Sequence, residues 1–445
     1  MNPELKNASN LEQSGARLQD IIRRNRSSDA VGVYAVCSAH PDVIAAAAGE
    51  AKENHSVLHV ESTSSQVNQF GGYTGQSPKQ FASFVRAASA EAGLPQNRIL
   101  LGGDHLGPFP WRTEPAALAM DKAHGLVRGC VLAQYQKIHL DASMACADDP
   151  TTGPDERTVA ERAAALCETA EKAFCELAPN SPPLLYVVGT EVPAPGGESQ
   201  VEESIAVTAT EHVRSTLESF NRAFEKRGLH RAWERVIGLV VQPGVEFGEN
   251  NVFDYDRLKT RALSDALPAS PLLVYEAHST DYQLPSSLEN MVEDHFAILK
   301  VGPELTFAFR EAIFALSAIE SEVLRGKAAR LSRVRDALES AMLRNPSYWR
   351  DYYHGDENQL RLSRFYSYSD RCRYYWPDAE VKAQIDLLLG NLSQFPPPLT
   401  LISQYLPVEY DDIRAGRLEA SPLEMVRHHI QSVLHKYATA CGESK

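Results

Sequence analysis

Apolar residues gather in eight short runs along the chain, at 31–37, 56–61, 98–105, 137–143, 184–191, 236–242, 271–277 and 296–301. Runs of this length bounded by turn residues predict strands covered on both faces. Between them lie longer stretches with helical spacing, at 42–52, 77–92, 114–132, 155–177, 202–227 and 303–319. Ser77 followed by Pro78 is a helix start, since serine caps free N–H groups and proline suits the first turn. An amphipathic segment at 11–25, with Leu11, Leu18, Ile21 and Ile22 among charges, predicts a helix that plugs the bottom of a barrel. Alternating β and α elements force parallel strands, and a count of eight predicts a (β/α)8 TIM barrel of the α/β class. A doubly wound open sheet would collect its polar residues at one switch point, whereas here nearly every run ends in a polar group. After Glu320 the alternation stops. The expected organisation is a barrel over residues 1–325 and a C-terminal helical extension, 326–445, packed on it.

In such a barrel the C-terminal strand ends converge on one mouth, so residues far apart in sequence become neighbours. The third run stops in Gly102-Gly103-Asp104-His105-Leu106-Gly107-Pro108, where glycines permit close approach of a ligand or another backbone. The other exits are Glu61, Asp141 with Ser143, Glu191, Gln242 and His278. Nitrogen and oxygen donors from several strands suit a catalytic Zn2+, Mn2+ or Mg2+ with one position left open, and His105 with His278 is the best ligand pair. The competing role for the carboxylates is to cap the helices that follow them. His40, His55, His59, His124, His139 and His295 are expected to be structural or exposed. Ser279 and Gly302, flanking the last two loops, form a candidate anion site at a helix start. Arg364, Arg371 and Arg373 of the extension are candidates to reach over the mouth toward an anion. Lys300 offers a Schiff-base route that ranks second to a metal.

A net charge of −14 argues against nucleic acid and anionic membrane as partners and favours a small molecule. Seven cysteines, odd in number and without a Cys-x-x-Cys pair, suit reduced thiols in the cytoplasm. Residues 1–28 contain no apolar signal core, and no window approaches the roughly 18 apolar residues of a membrane span. A second copy of the chain is an admissible partner.

Several motifs point further. Cys37-Ser38-Ala39-His40-Pro41, Gln66-Val67-Asn68-Gln69-Phe70-Gly71-Gly72-Tyr73-Thr74-Gly75, the Gly102 to Pro108 segment, Lys137-Ile138-His139-Leu140-Asp141-Ala142-Ser143-Met144 and Tyr366-Ser367-Tyr368-Ser369-Asp370-Arg371 resemble the tagatose-bisphosphate aldolase accessory-subunit family, also described as ketose-phosphate 4-epimerases. That family is similar to the metal-dependent class II aldolases. The resemblance implies an acid/base role for Asp104, a functional glutamate at Glu191 and metal binding by His105 and His278, with Gln242 where aldolases carry another histidine. Ile298 to Gly302 resembles the stretch that holds substrate phosphate there. Among the site candidates Asp141 is expected to be catalytic, and Glu61, Gln69, Ser143, Ser279, Gly302, Arg371 and Arg373 are expected to contact substrate. Two functions follow from the resemblance: epimerisation of D-tagatose 6-phosphate to D-fructose 6-phosphate, or stabilisation of a class II tagatose-1,6-bisphosphate aldolase subunit. Some members carry a kinase label, but no Gly-x-x-x-x-Gly-Lys-Ser/Thr loop is present, and no strand is followed by the Gly-x-Gly-x-x-Gly of a nicotinamide enzyme.

Overall fold

The computed structural model describes residues 3–190 and 205–443, with side chains from residue 14 onward. Eight parallel strands close into a (β/α)8 barrel: β1 (Val33–Val36), β2 (Leu58–Thr63), β3 (Ile99–Leu106), β4 (Lys137–Leu140), β5 (Leu185–Val188), β6 (Val236–Val241), β7 (Val274–Ala277) and β8 (Ile298–Val301). Each strand lies beside its chain neighbours, and β8 returns to β1 in the register Val33 opposite Ile298 through Val36 opposite Val301. The eight runs are therefore the eight strands, although β1, β4, β5, β6, β7 and β8 are shorter than the runs that contain them. The helix expected at 202–227 is described from Thr210 to Lys226. An antiparallel pair, Glu246–Phe247 with Val252–Phe253, was not expected; it follows β6 and presents the Glu249 carbonyl to the N–H of Tyr368 at 3.0 Å.

The strands expose two different faces. Residues such as Leu58, Val60, Leu101, Tyr275, Leu299 and Val301 pack outward against the helices. The inward residues form a separate apolar layer at the bottom, including Val33, Leu100, Leu185, Val187, Ile237, Val274 and Ile298. Leu18 and Ile22 of the first helix (Pro3–Arg26) complete that layer, so the N-terminal helix does plug the barrel. Each of these two side chains is fully buried and contributes about 1.5–3 kcal/mol by leaving water.

Helices Val334–Arg344, Glu357–Tyr366, Ala379–Gln394, Leu399–Tyr405, Pro407–Arg414 and Pro422–Ala440 follow the barrel. Their apolar residues, among them Val334, Leu388, Met425 and Tyr437, join the same core as the outer faces of the strands. The last helix packs against helices Pro41–Glu53 and Pro303–Val323. Its Tyr437 hydroxyl donates to the Thr280 carbonyl at 2.6 Å, and Lys436 pairs with Glu304. The seven cysteines are unpaired. Among the described residues no helix is long and apolar enough to cross a membrane.

Gly107 lets the loop after β3 press on the loop after β4, since a Cβ there would collide with the Asp141 carbonyl oxygen. Gly390, inside a helix, has open space where a Cβ would go. Gly107→Ala is expected to cost at least about 2 kcal/mol through a forced backbone shift, whereas Gly390→Ala should gain about 0.5–1 kcal/mol. Chemical denaturation of both variants checks this, and equal effects would contradict it.

Candidate active site at the barrel mouth

Above the apolar layer the inward positions turn polar. Strand alternation places His59 and Glu61 of β2, Gly102 and Asp104 of β3, Lys137 and His139 of β4, Glu276 of β7 with His278 just beyond it, and Lys300 of β8 on the barrel's inner side. Lys137 Nζ lies 2.6 Å from Glu61 Oε1 and 2.6 Å from Glu276 Oε2. Lys300 Nζ pairs with Glu61, lies 2.9 Å from Asp104 Oδ1 and 3.7 Å from Glu276 Oε1. His59 Nε2 is 2.7 Å from the same Glu61. Gly102 makes room for this arrangement, because a Cβ there would sit 2.8 Å from Glu61 Cγ.

Burial alone would raise all four carboxyls. Lys137 and Lys300 outweigh it at Glu61 and Glu276 and hold both below the usual range. His105 and Lys300 do so at Asp104, and the His105 hydrogen bond does so at Asp141. The imidazoles divide. Burial lowers His278 to about 4 and keeps it neutral, whereas at His105 the carboxylates of Asp104 and Asp141 outweigh burial and raise it.

His105 adopts a left-handed backbone, φ 48°, unusual for a residue with a side chain. Its Nδ1 is 2.8 Å from Asp141 Oδ2, and its Nε2 is 3.7 Å from Asp104 Oδ2. Asp141 is itself fixed by the N–H of Ser143 at 3.0 Å and its hydroxyl at 2.6 Å. Asp104 Oδ1 accepts from His139 Nδ1 at 2.9 Å.

The fit of a divalent metal can be judged from donors. Asp104, His139, Glu276 and His278 are all buried and offer ligand atoms within 4.8 Å of one another. His139 Nε2 is buried without a hydrogen-bond partner. Three carboxylates held below their usual range, Glu61, Glu276 and Asp104, face two ammonium groups, an excess of negative charge that a divalent cation would offset. Two imidazoles and two carboxylates form a donor set such an ion accepts. The residues fit.

Several expected contacts lie elsewhere. Gln242 Oε1 accepts from the N–H groups of Gly244 (2.7 Å) and Val245 (3.1 Å), so its oxygen builds the turn after β6 and is not available as a metal ligand. Glu61 is sealed inside the barrel as a counterion, not a substrate contact at the mouth. Gln69 is exposed and donates to the Lys122 carbonyl at 2.8 Å, away from the mouth. Ser143 serves Asp141. Arg364 pairs with Glu339 and Glu357. The anion site expected at the start of helix Pro303–Val323 is filled by the chain itself: the N–H groups of Gly302 and Glu304 donate to Asp281 Oδ1 at 2.9 and 2.8 Å. Burial and the neighbouring Glu304 raise Asp281 to about 7. Glu191 lies outside the described residues.

Asp104, His105, His278, Ser279, Lys300, Gly302, Arg371 and Arg373 do meet, lining one cavity of about 730 Å3 between the barrel mouth and the extension. His139 and Glu276 are the residues the strand-exit reasoning missed. The signal was present as period-two polarity, Lys137, His139, Asp141 and Glu276, His278, inside runs read as apolar throughout.

A closed eightfold barrel with charged side chains converging at the C-terminal ends of its strands is the architecture of an α/β barrel with an enzyme-like mouth. The chain belongs to the D-tagatose-1,6-bisphosphate aldolase subunit GatZ/KbaZ-like family, whose model matches residues 18–442. It is 42% identical to a probable tagatose 6 phosphate kinase from Sinorhizobium meliloti 1021, with a TM-score of 0.84 over 92% of this chain and 100% of that one. A fructose-bisphosphate aldolase from Campylobacter jejuni matches with 14% identity and a TM-score of 0.42, over 86% of this chain and 93% of that one.

The four carboxyls bind protons in the folded state only below their ordinary range, so the unfolded chain takes up more protons as pH falls through about 4. Stability present at neutral pH is expected to fall as pH drops through that window. Glu61→Gln, which leaves Lys137 and Lys300 undercompensated, should cost about 3–5 kcal/mol at pH 7 and flatten the acid limb. Urea unfolding at pH 7 and pH 4 measures both.

Proposed function

We propose that the chain is a ketose-phosphate 4-epimerase that interconverts D-tagatose 6-phosphate and D-fructose 6-phosphate by breaking and remaking the C3–C4 bond. The observation that carries this reading is a buried Asp104 lining the cavity, held below the usual carboxylate range with His105 beside it and Lys300 behind it. The C4 proton of a ketose is not adjacent to the carbonyl and is not acidic, so direct deprotonation is a poor path. Cleavage avoids the problem. Asp104 Oδ2 accepts the proton of the C4 hydroxyl as the C3–C4 bond breaks, C4 becomes an aldehyde carbon, and the bonding pair passes into a C2–C3 enediolate. The aldehyde turns about C4–C5, C3 attacks its other face, and Asp104 returns the proton to the new C4 oxygen. Asp141 holds His105 where its Nε2 can hydrogen-bond an oxygen of the substrate. Lys300 keeps Asp104 ionised between turnovers. His139, His278 and Glu276, beside Asp104, would hold a divalent metal, with Zn2+ ahead of Mn2+ or Mg2+ for imidazole donors, and when bound it would supply Lewis-acid polarisation of the C2 carbonyl.

A second reading makes the chain a non-catalytic stabilising subunit of a class II D-tagatose-1,6-bisphosphate aldolase. The family's description names an aldolase subunit and supports this reading more directly than the first. The description of the S. meliloti relative names a kinase, yet this chain contains no Walker-type phosphate loop.

Purified chain alone is expected to convert D-tagatose 6-phosphate to D-fructose 6-phosphate. Asp104→Asn should lower kcat by about a thousandfold, and His139→Gln should lower bound metal measured by elemental analysis. Absence of conversion with metal supplied, together with a raised melting temperature of a co-purified aldolase, would establish the subunit role instead.

A further inference from the structure

The cavity is bipolar. One wall is the barrel mouth, where every ammonium is neutralised by carboxylates. The other is the extension, where the charges are met differently. Arg373 donates to the carbonyls of Ser369 and Asp370 and to the Tyr374 hydroxyl at 2.9 Å and forms no ion pair among the described residues; the Asp370 carboxylate acts on it through space but is itself met by Arg310 and the Thr306 hydroxyl. Lys382, an exposed residue on helix Ala379–Gln394, lines the cavity and forms no ion pair among the described residues. His40 lines it too: its Nδ1 is buried without a hydrogen-bond partner, and burial lowers the imidazole to about 4, so the ring is neutral and one of its nitrogens can donate. Aromatic packing joins these groups, with His40 on Phe309 at 4.2 Å and Phe309 on Trp376 at 5.2 Å, three residues beyond Arg373. Of the rim carboxylates, Asp42 lies 3.6 Å from Arg427, and Asp386 is one turn from Lys382.

The barrel's own candidate for an anion is closed. Asp281, 2% exposed, already takes the amides of Gly302 and Glu304, and a phosphate there would have to displace a buried carboxylate. We infer that a phosphate monoester is bound at the extension wall, by Arg373, Lys382 and His40, while the carbon chain of the same ligand points down toward Asp104. The inference rests on the epimerase reading only for the choice of a ketose phosphate. Charge complementarity supplies the rest: two cations that form no ion pair among the described residues and a neutral donor suit a dianion with three acceptor oxygens. The extension then sets which end of the sugar enters first, and a ligand without phosphate loses its anchor but not its access to the barrel floor.

Calorimetric titration with D-glucitol 6-phosphate and with D-glucitol, neither of which has a carbonyl to react, tests this on the full chain. The phosphate ester is expected to bind the unsubstituted chain at least about tenfold more tightly than the free hexitol. Lys382→Met, at an exposed position, should remove several-fold of that preference, and Arg373→Met with His40→Asn should remove the remainder, with circular dichroism confirming the fold. Ser279→Ala, on the barrel side, should leave the preference intact. Equal affinity for the two hexitols, a preference that survives all three extension substitutions, or one lost on Ser279→Ala would each overturn the assignment. Turnover of D-tagatose 6-phosphate is followed separately: binding with the expected pattern but no turnover removes the epimerase reading and leaves the anion wall standing.

Discussion

Lys137 and Lys300 stand inside a closed ring of parallel strands, within ion-pair reach of Glu276 and Glu61, with Asp104 as a further partner of Lys300. Buried ion pairs of this kind seldom add stability over an apolar filling, because desolvation cancels most of the attraction. Their effect is on specificity of arrangement. Each carboxylate has a lysine partner in a defined position, so no side chain can rotate away without leaving a charge unpaired. The result is an Asp104 kept ionised in a place where burial alone would protonate it.

That lattice explains why the barrel has two interiors. Below, Leu18 and Ile22 of the N-terminal helix close an apolar layer; above, the next inward residues of the same strands are charged. The extension completes the upper half. Tyr73 and Tyr374, whose rings lie 4.7 Å apart, bring the loop after β2 against the arginine-rich segment. Arg371 stacks on Tyr352 with its guanidinium carbon 3.2 Å from the ring centre. The mouth is thus a cavity between two parts of the chain, not an open bowl.

The strands were legible because their outward faces, such as Leu58 and Val60 or Leu299 and Val301, share runs with inward Ile298 or Val57 and read as continuous apolar stretches. The same reading hid His139 and Glu276. A strand taken as apolar on both faces has no place for an imidazole in its middle, so only the exits stand out as polar. Asp104, His105 and His278 were found because they stand where a run stops. Gln242 and Gln69 have the right chemistry and the wrong surroundings: whether an amide oxygen is free or spent on a turn depends on neighbours two and three residues away and on local backbone geometry. Asp281 was invisible for the same reason, since its role is set by amides some twenty residues further along the chain.

The clamp made by Tyr437 and Lys436 on the loops after β7 and β8 has a consequence for how the molecule is made. The helix that carries it, Pro422–Ala440, emerges from the ribosome more than one hundred residues after β8. Synthesis proceeds from the N-terminus, and segments already released fold while the remainder is still being added. All eight strands are therefore outside the tunnel well before their last tie exists, and the charged upper half of the barrel must wait in an unlatched state. The nascent chain has a built-in interval in which that half is exposed, and its length is set by the rate of translation through the extension.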